Sequence, residues 1–161
     1  MSSVKNKLIL KGVLIFSIFA LIAAYFIEYV LGHKPCNLCL LERIPYFVSI
    51  ILIALIFFFN KYEKYIALLI GFLFVFGCIV SFYHFGIEQG FFDESLVCNL
   101  SNSNENLSPQ ALLAELETEV ISCKDVTFTV FGFSLATFNT IISLVISAIM
   151  LKIFINYGKN R

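Results

Sequence analysis

Residues 65–85 read YIALLIGFLFVFGCIVSFYHF, without a single Asp, Glu, Lys or Arg. A helix rises about 1.5 Å per residue and the hydrocarbon core of a bilayer is about 30 Å thick, so about 20 apolar residues suffice to cross it. This stretch meets that length unaided. Working outward, three more stretches meet it: Gly12 to Val30, Leu40 to Phe59 and Phe131 to Tyr157. The first follows Lys5, Lys7 and Lys11 and carries Ala23 and Ala24, features shared with signal peptides. Its apolar run is longer than the roughly 7–15 residues of a signal core, so an uncleaved helix is expected. Glu42 and Arg43 fall in the first turn of the second span, where charge sits in the headgroup layer or in a protein-lined pocket. The expected fold class is an all-α integral membrane protein. It forms a single membrane domain over 1–161, a four-transmembrane-helix bundle with helices at about 12–30, 40–59, 65–85 and 131–157.

Composition agrees. Hydrophobic residues make up 60% of the chain and charged ones only 14%, against about 25% charged in an ordinary soluble domain. A soluble domain of 161 residues has too little interior for that much apolar surface, so lipid is part of the solvent. The formal net charge is +0, which excludes nucleic acid as a partner, because phosphate binding needs a basic excess.

Lys and Arg mark the cytoplasmic side of a membrane protein. Lys5, Lys7 and Lys11, then Lys61 and Lys64, then Lys152, Lys159 and Arg161 all fall on one side of a four-span chain. Both termini are therefore expected in the cytoplasm. The opposite side keeps Lys34, Arg43 and Lys124, and its long loop over about 86–130 is acidic. Within that loop 99–106 is rich in Ser and Asn, a flexible turn region. Ser108-Pro109 is a helix-start signal, and Leu112, Leu113, Leu116 and Val120 then recur at helical spacing opposite Glu115, Glu117 and Glu119. A short amphipathic helix is expected, lying on the membrane surface or packed on the ends of the spans.

The chain has five cysteines. Cys36-Asn37-Leu38-Cys39 precedes the second span, and Cys98 and Cys123 lie in the long loop. All of these face the outer side, where thiols are held oxidised, so disulfides Cys36–Cys39 and Cys98–Cys123 are expected. The loop pair reads as a staple worth roughly 3 kcal/mol in the chain-entropy model. A C-x-x-C bridge closes almost no chain, so stability is a poor reason for it, and short C-x-x-C loops are the usual format of exchangeable disulfides. Alone, the motif also fits a metal, and four cysteines can hold zinc. An oxidising compartment tends to consume such thiolates. Leu40 in place of His after Cys39 speaks against c-type haem. Cys78, inside the third apolar run, reads as a small core residue.

Arg43 stands four residues after Cys39. On a helix beginning near the motif both share a face, where the guanidinium and the helix N-terminus stabilise a Cys39 thiolate. An Arg there also donates to a ligand carbonyl. The bland alternatives are a headgroup phosphate or an ion pair with Glu42 or Glu28; beside the cysteine motif the redox role is favoured. His84 and Glu88, again four apart, end the third span. His84 can bond a ligand at the membrane edge or accept a proton, and equally can be a polar anchor.

Pro35-Cys36-Asn37-Leu38-Cys39-Leu40-Leu41-Glu42-Arg43 with Pro45-Tyr46 resembles the disulfide bond formation protein DsbB family of bacterial inner-membrane thiol oxidases. So do residues Tyr83-His84-Phe85-Gly86-Ile87-Glu88-Gln89-Gly90, and Cys123 followed by Phe131-Gly132-Phe133-Ser134-Leu135-Ala136 and Asn139. The order, C-x-x-C before helix two and loop pair before helix four, is the reverse of that in the vitamin K epoxide reductase family. The chain departs from well-known members in having no Trp. The resemblance implies a relay in the periplasm. A soluble thioredoxin-fold dithiol protein, DsbA-like, attacks Cys98 and displaces Cys123. Cys123 exchanges with the C-x-x-C pair through Cys36, and Cys39 becomes the thiolate facing a membrane quinone, ubiquinone or menaquinone. It also implies that Arg43 and His84 bind that quinone. The rival readings are a structural membrane protein with inert disulfides and a cysteine-ligated metal protein.

Overall fold

A computed structural model describes residues 2–58, 63–93, 98, 122–124, 128–130 and 132–159. The amphipathic helix and the Ser/Asn stretch expected in the long loop lie outside these residues. Four helices carry the fold: α1 (Ser2–Tyr29), α2 (Asn37–Phe58), α3 (Glu63–Glu88) and α4 (Leu135–Lys159). Each is long and apolar enough to cross a membrane. The chain is an all-α, multi-pass membrane protein. One small addition was not expected: β1 (Thr129–Val130) pairs antiparallel with β2 (Phe133–Ser134) immediately before α4.

The boundaries differ from expectation at three places, each for a local reason. α1 starts well before Gly12 because Leu10 and Val13 are already buried in the bundle core, while Lys7 and Lys11 stay exposed on the other face. α2 starts at Asn37, not Leu40, because Cys36 supplies the cap described below. α3 runs on to Glu88 and stops at Gly90, whose φ is 75°. There Gly90 N–H donates to the Ile87 carbonyl at 3.0 Å and Phe91 N–H to the Gly86 carbonyl at 2.8 Å. This is the crossed pair of bonds that closes a helix on a left-handed residue, a conformation only glycine adopts cheaply.

α3 is the middle of the bundle, and the chief interfaces are α3 on α4, α2 on α3 and α1 on α2. Its inward face is Ala67, Ile70, Gly71, Phe74, Gly77 and Ser81, all buried, and its outward face carries exposed Phe72, Phe76 and Ile79. Both faces recur at helical spacing, and both are apolar apart from small residues, as lipid-facing helices require. Small residues allow the close approach. A Cβ on Gly77 would stand 3.0 Å from Pro45 Cγ of α2 and 3.4 Å from Ser143 Oγ of α4, and one on Gly71 3.3 Å from Leu151 Cδ2. α1 is tied to α2 by a buried Ser17–Ser49 hydroxyl pair at 3.1 Å.

Buried side chains form two clusters. One, with Leu10, Ile53, Ile56, Ala67, Ile70, Phe74, Met150 and Ile153, fills the bundle from its middle to the end where α1 begins. The other gathers Cys36, Leu38, Ile87, Cys98 and Cys123 at the opposite end. All four sulfurs singled out in the sequence thus sit at one end of the bundle.

Gly77→Leu is expected to wedge α2 and α4 away from α3 and lower stability by about 1–3 kcal/mol, the range for overpacking a close-packed site. Gly77→Ala should cost less. Unfolding of the detergent-solubilised protein by SDS titration measures both, and equal stability of wild type and Gly77→Leu would show that the helices do not meet there.

Candidate functional site

The site begins with the way α2 starts. The carbonyl of Cys36 accepts from Leu40 N–H at 3.2 Å, which makes Cys36 the residue capping the helix. Its own Sγ accepts from Cys39 N–H, also at 3.2 Å. That is the geometry in which Ser, Thr or Asp caps a helix, with sulfur in place of oxygen. The motif spacing produces it: the second cysteine lies three residues after the first, at the position whose amide the cap side chain reaches. Cys39 Sγ then lies 2.8 Å from Cys36 Sγ.

The expected Cys98–Cys123 disulfide is present, with Cα atoms 5.8 Å apart. The expected Cys36–Cys39 bond is not: both are free thiols in contact. Cys98 and Cys123 are 2% and 1% exposed and lie in the same buried cluster as Cys36, with Cys39 packed against it. A dithiol and a disulfide therefore meet at one end of the bundle.

His84 reaches this pair from α3. Its Nε2 lies 3.5 Å from Cys36 Sγ and its Nδ1 2.7 Å from Glu42 Oε1. The Glu42 carboxylate accepts from Asn139 Nδ2 of α4 at 2.8 Å through its other oxygen. Asn139 in turn donates to Ser81 Oγ at 2.6 Å, and its Oδ1 accepts from the Tyr46 hydroxyl. A continuous polar chain thus runs from Cys36 through His84 and Glu42 to Asn139 and Tyr46, drawing on α2, α3 and α4. Glu88, expected to stand near His84, does so: its Oε1 is 3.8 Å from Nε2.

Three influences hold the Cys36 thiol well below the ordinary thiol range, at about 4: first the hydrogen bond from the Cys39 thiol, then the hydrogen bond and charge of His84, then the backbone N–H of Cys39. Burial opposes them without prevailing. At neutral pH the reduced pair carries its negative charge on Cys36.

Arg43 stands elsewhere than expected. Its Nη1 forms an ion pair with Glu28 Oε2 of α1 at 2.5 Å, and its guanidinium lies over the Tyr25 ring at 5.1 Å. Of the alternatives open in the sequence, the Glu28 pair is the one found. The nitrogen base beside the thiol is His84. Arg43 nevertheless borders the site, because it lines a cavity of about 350 Å³ whose wall includes both cysteines of the motif, His84, Glu42, Tyr46 and Asn139. Phe16, Phe19, Ala20, Ala23 and Ile27 of α1 and Leu135, Phe138 and Ile142 of α4 supply its apolar side, and His33, Lys34 and Glu88 also border it. The cavity fills the space between α1 and α4 that the main helix interfaces leave open.

Glu42 as the partner of His84, and Asn139 and Tyr46 behind it, are the residues that reading by spacing missed. The available signal was Asn139 near the start of the apolar fourth span, since an intramembrane polar side chain is expensive and needs a reason.

The chain matches, over residues 6–153, the model of the family described as Disulfide bond formation protein DsbB. It is similar to the uncharacterized protein RP370 of Rickettsia prowazekii (strain Madrid E), 32% identical over 149 residues, which is 90% of this chain and 85% of that one. No solved structure matches the chain.

Thiolate absorbance of the reduced protein followed against pH should show one cysteine still ionised at pH 6 and protonating only as pH falls toward about 4. His84→Ala and Cys39→Ala, each removing a donor to Cys36, should both move that transition up. A wild type in which no cysteine ionises below the ordinary thiol range near 8.5 would contradict the capped geometry.

Proposed function

The chain belongs to the DsbB family of disulfide bond formation proteins, and from that membership and the site we propose that it is a protein-disulfide:quinone oxidoreductase. It reoxidises a soluble DsbA-like dithiol protein of the thioredoxin fold and delivers the electrons to a quinone of the bacterial inner membrane. The cysteine end of the bundle then faces the periplasm and both termini the cytoplasm. One observation carries the reading: a dithiol, Cys36 and Cys39, forms part of the wall of a mainly apolar cavity and packs in one buried cluster with the Cys98–Cys123 disulfide.

The cavity suits a quinone head group. It is mainly apolar, as a ring and its isoprenoid tail require, and it is the right scale for a bound small molecule. The hydrogen-bonding groups of Arg43, His84, Tyr46 and Asn139 border it, and a quinone carbonyl needs such donors. Bound there, quinone supplies a two-electron, two-proton acceptor.

The protein's own sulfurs do the rest by thiol–disulfide exchange. With the Cys36–Cys39 bond formed at the start, a partner thiolate attacks Cys98 Sγ, breaking the Cys98–Cys123 bond and leaving Cys123 as thiolate. Cys123 attacks Cys36, its neighbour in the buried cluster, and Cys39 leaves. The partner's second thiol displaces Cys98 and departs as a disulfide, and Cys98 takes back Cys123, freeing Cys36. Both electrons of the partner dithiol now reside on Cys36 and Cys39. Charge rests on the capping Cys36, and His84, held by Glu42, is placed to receive and pass on the proton. Arg43, which borders the same cavity, would hold a quinone oxygen if released from Glu28.

Purified protein given a reduced thioredoxin-fold dithiol should consume quinone absorbance catalytically. Cys98→Ala is expected to abolish that turnover while leaving reoxidation of Cys36 and Cys39 by added quinone intact. Thiols that never oxidise on quinone addition would end the proposal. Arg43→Ala should weaken quinone use by about 10–100-fold, the scale of a lost charge-assisted hydrogen bond of about 1.5–3 kcal/mol, with little change in docking of the dithiol protein. Unchanged quinone dependence would remove Arg43 from the mechanism.

A further inference from the structure

The site has a second capacity that disulfide exchange does not use. Cys36 Sγ, Cys39 Sγ and His84 Nε2 all lie within 4.8 Å of one another. Glu88 Oε1 stands 3.8 Å from that same Nε2. Its other oxygen, Oε2, is buried without a hydrogen-bond partner among the described residues, on a side chain only 5% exposed. A buried carboxylate oxygen left unsatisfied on the neighbour of that imidazole is an electron-pair donor without a recipient.

The histidine is already set for a cation. A metal-ligating His as a rule gives its other ring nitrogen to a carboxylate, which fixes the tautomer and the ring. Here Nδ1 is engaged by Glu42 Oε1 at 2.7 Å, and Glu42 is itself held by Asn139. That leaves Nε2 facing the sulfurs. Two thiolates, one imidazole and one carboxylate make a four-donor set of the kind that borderline-soft Zn²⁺ takes in tetrahedral geometry.

We propose that the reduced form of the protein binds one Zn²⁺ through Cys36, Cys39, His84 and Glu88. Binding forms two S–Zn bonds, one from the Cys36 thiolate and one from Cys39, whose S–H bond breaks and releases its proton to solvent. Two adjustments are needed: the Glu88 carboxylate, which stands outside the cluster of the other three donors, turns toward the sulfurs, and the sulfurs part. The sulfurs are 2.8 Å apart, whereas two thiolates on one tetrahedral zinc, each about 2.3 Å from it, stand about 3.7 Å apart. Cys39, only partly buried in the first turn of α2, turns its Sγ outward by about 1 Å to meet the ion. Zinc and the Cys36–Cys39 disulfide then compete for the same two sulfurs. The ion occupies the pair whenever it stays reduced, and the disulfide excludes it. The inference rests on the free thiols and their neighbours, and holds whether or not quinone is the oxidant.

Reduced, metal-free protein in detergent, titrated with Co²⁺ as a spectroscopic stand-in and then with Zn²⁺ against a chromogenic chelator, tests it. One equivalent of Co²⁺ should give thiolate-to-metal charge transfer and the intense visible bands of a tetrahedral site, displaced by Zn²⁺. The same protein oxidised by an added disulfide should give neither. Glu42→Gln should weaken Zn²⁺ binding by about 10–100-fold, the usual effect of losing a partner that orients a ligand. Cys98→Ser/Cys123→Ser should still bind. Absence of charge-transfer bands in the fully reduced wild type would overturn the site, even if quinone turnover is intact. Binding that survives His84→Ala unchanged, or that requires Cys98 and Cys123, would overturn its placement.

Discussion

Glu42 brings a carboxylate into a bundle surrounded by lipid, and the cysteine end of the molecule is arranged around satisfying it. Hydrocarbon offers no hydrogen bonds, so each oxygen must find its partner inside the protein. One accepts from Asn139 of α4 and the other meets His84 of α3. Those contacts decide what α3 and α4 present to α2. Asn139 then needs partners of its own and finds them in Ser81 and Tyr46. The imidazole, held on one nitrogen, points the other at Cys36. A single buried acid thereby aligns three helices and aims a base at a thiol.

The capping role of Cys36 joins this network to the backbone. The amides at a helix start are unsatisfied unless a side chain reaches them, and they favour negative charge. A sulfur placed there is stabilised as thiolate by the fold itself, and the C-x-x-C spacing delivers a second thiol to the same point. Burial alone would have pushed the charge off Cys36; cap, neighbouring thiol and imidazole together reverse that. α1 adds the apolar wall, joined to the rest by the Ser17–Ser49 pair within the membrane and by the Glu28–Arg43 pair nearer the cysteine end.

The four spans were legible because one quantity, the length of an apolar run, maps directly onto the thickness of the bilayer. Gathering the cysteines at one end followed from the same count. What spacing could not supply was direction. Arg43 follows Cys39 by one helical turn, yet its long side chain reaches back to Glu28 of α1, and no periodicity within α2 reveals what α1 offers. Glu42, one residue earlier, points inward for the same unreadable reason. The Tyr46–Asn139 contact joins residues 93 apart in the chain, a separation at which only the packing of helices decides who meets whom. The early start of α2 was legible in principle, since a cysteine can cap as a serine does, but the motif drew attention to its chemistry and away from its backbone.

The cap has a consequence for how oxidation state is written into the molecule. As a thiolate, Cys36 is a strong acceptor for the amide three residues on. Bound to another sulfur, the same atom has lost its charge and most of its pull on that hydrogen. Oxidation or reduction of Cys36 would therefore slacken or tighten the opening turn of α2. The turn that follows carries Glu42 and Arg43, so a change of charge on one atom would be felt as a change in order by the acid and the base that line the cavity behind it.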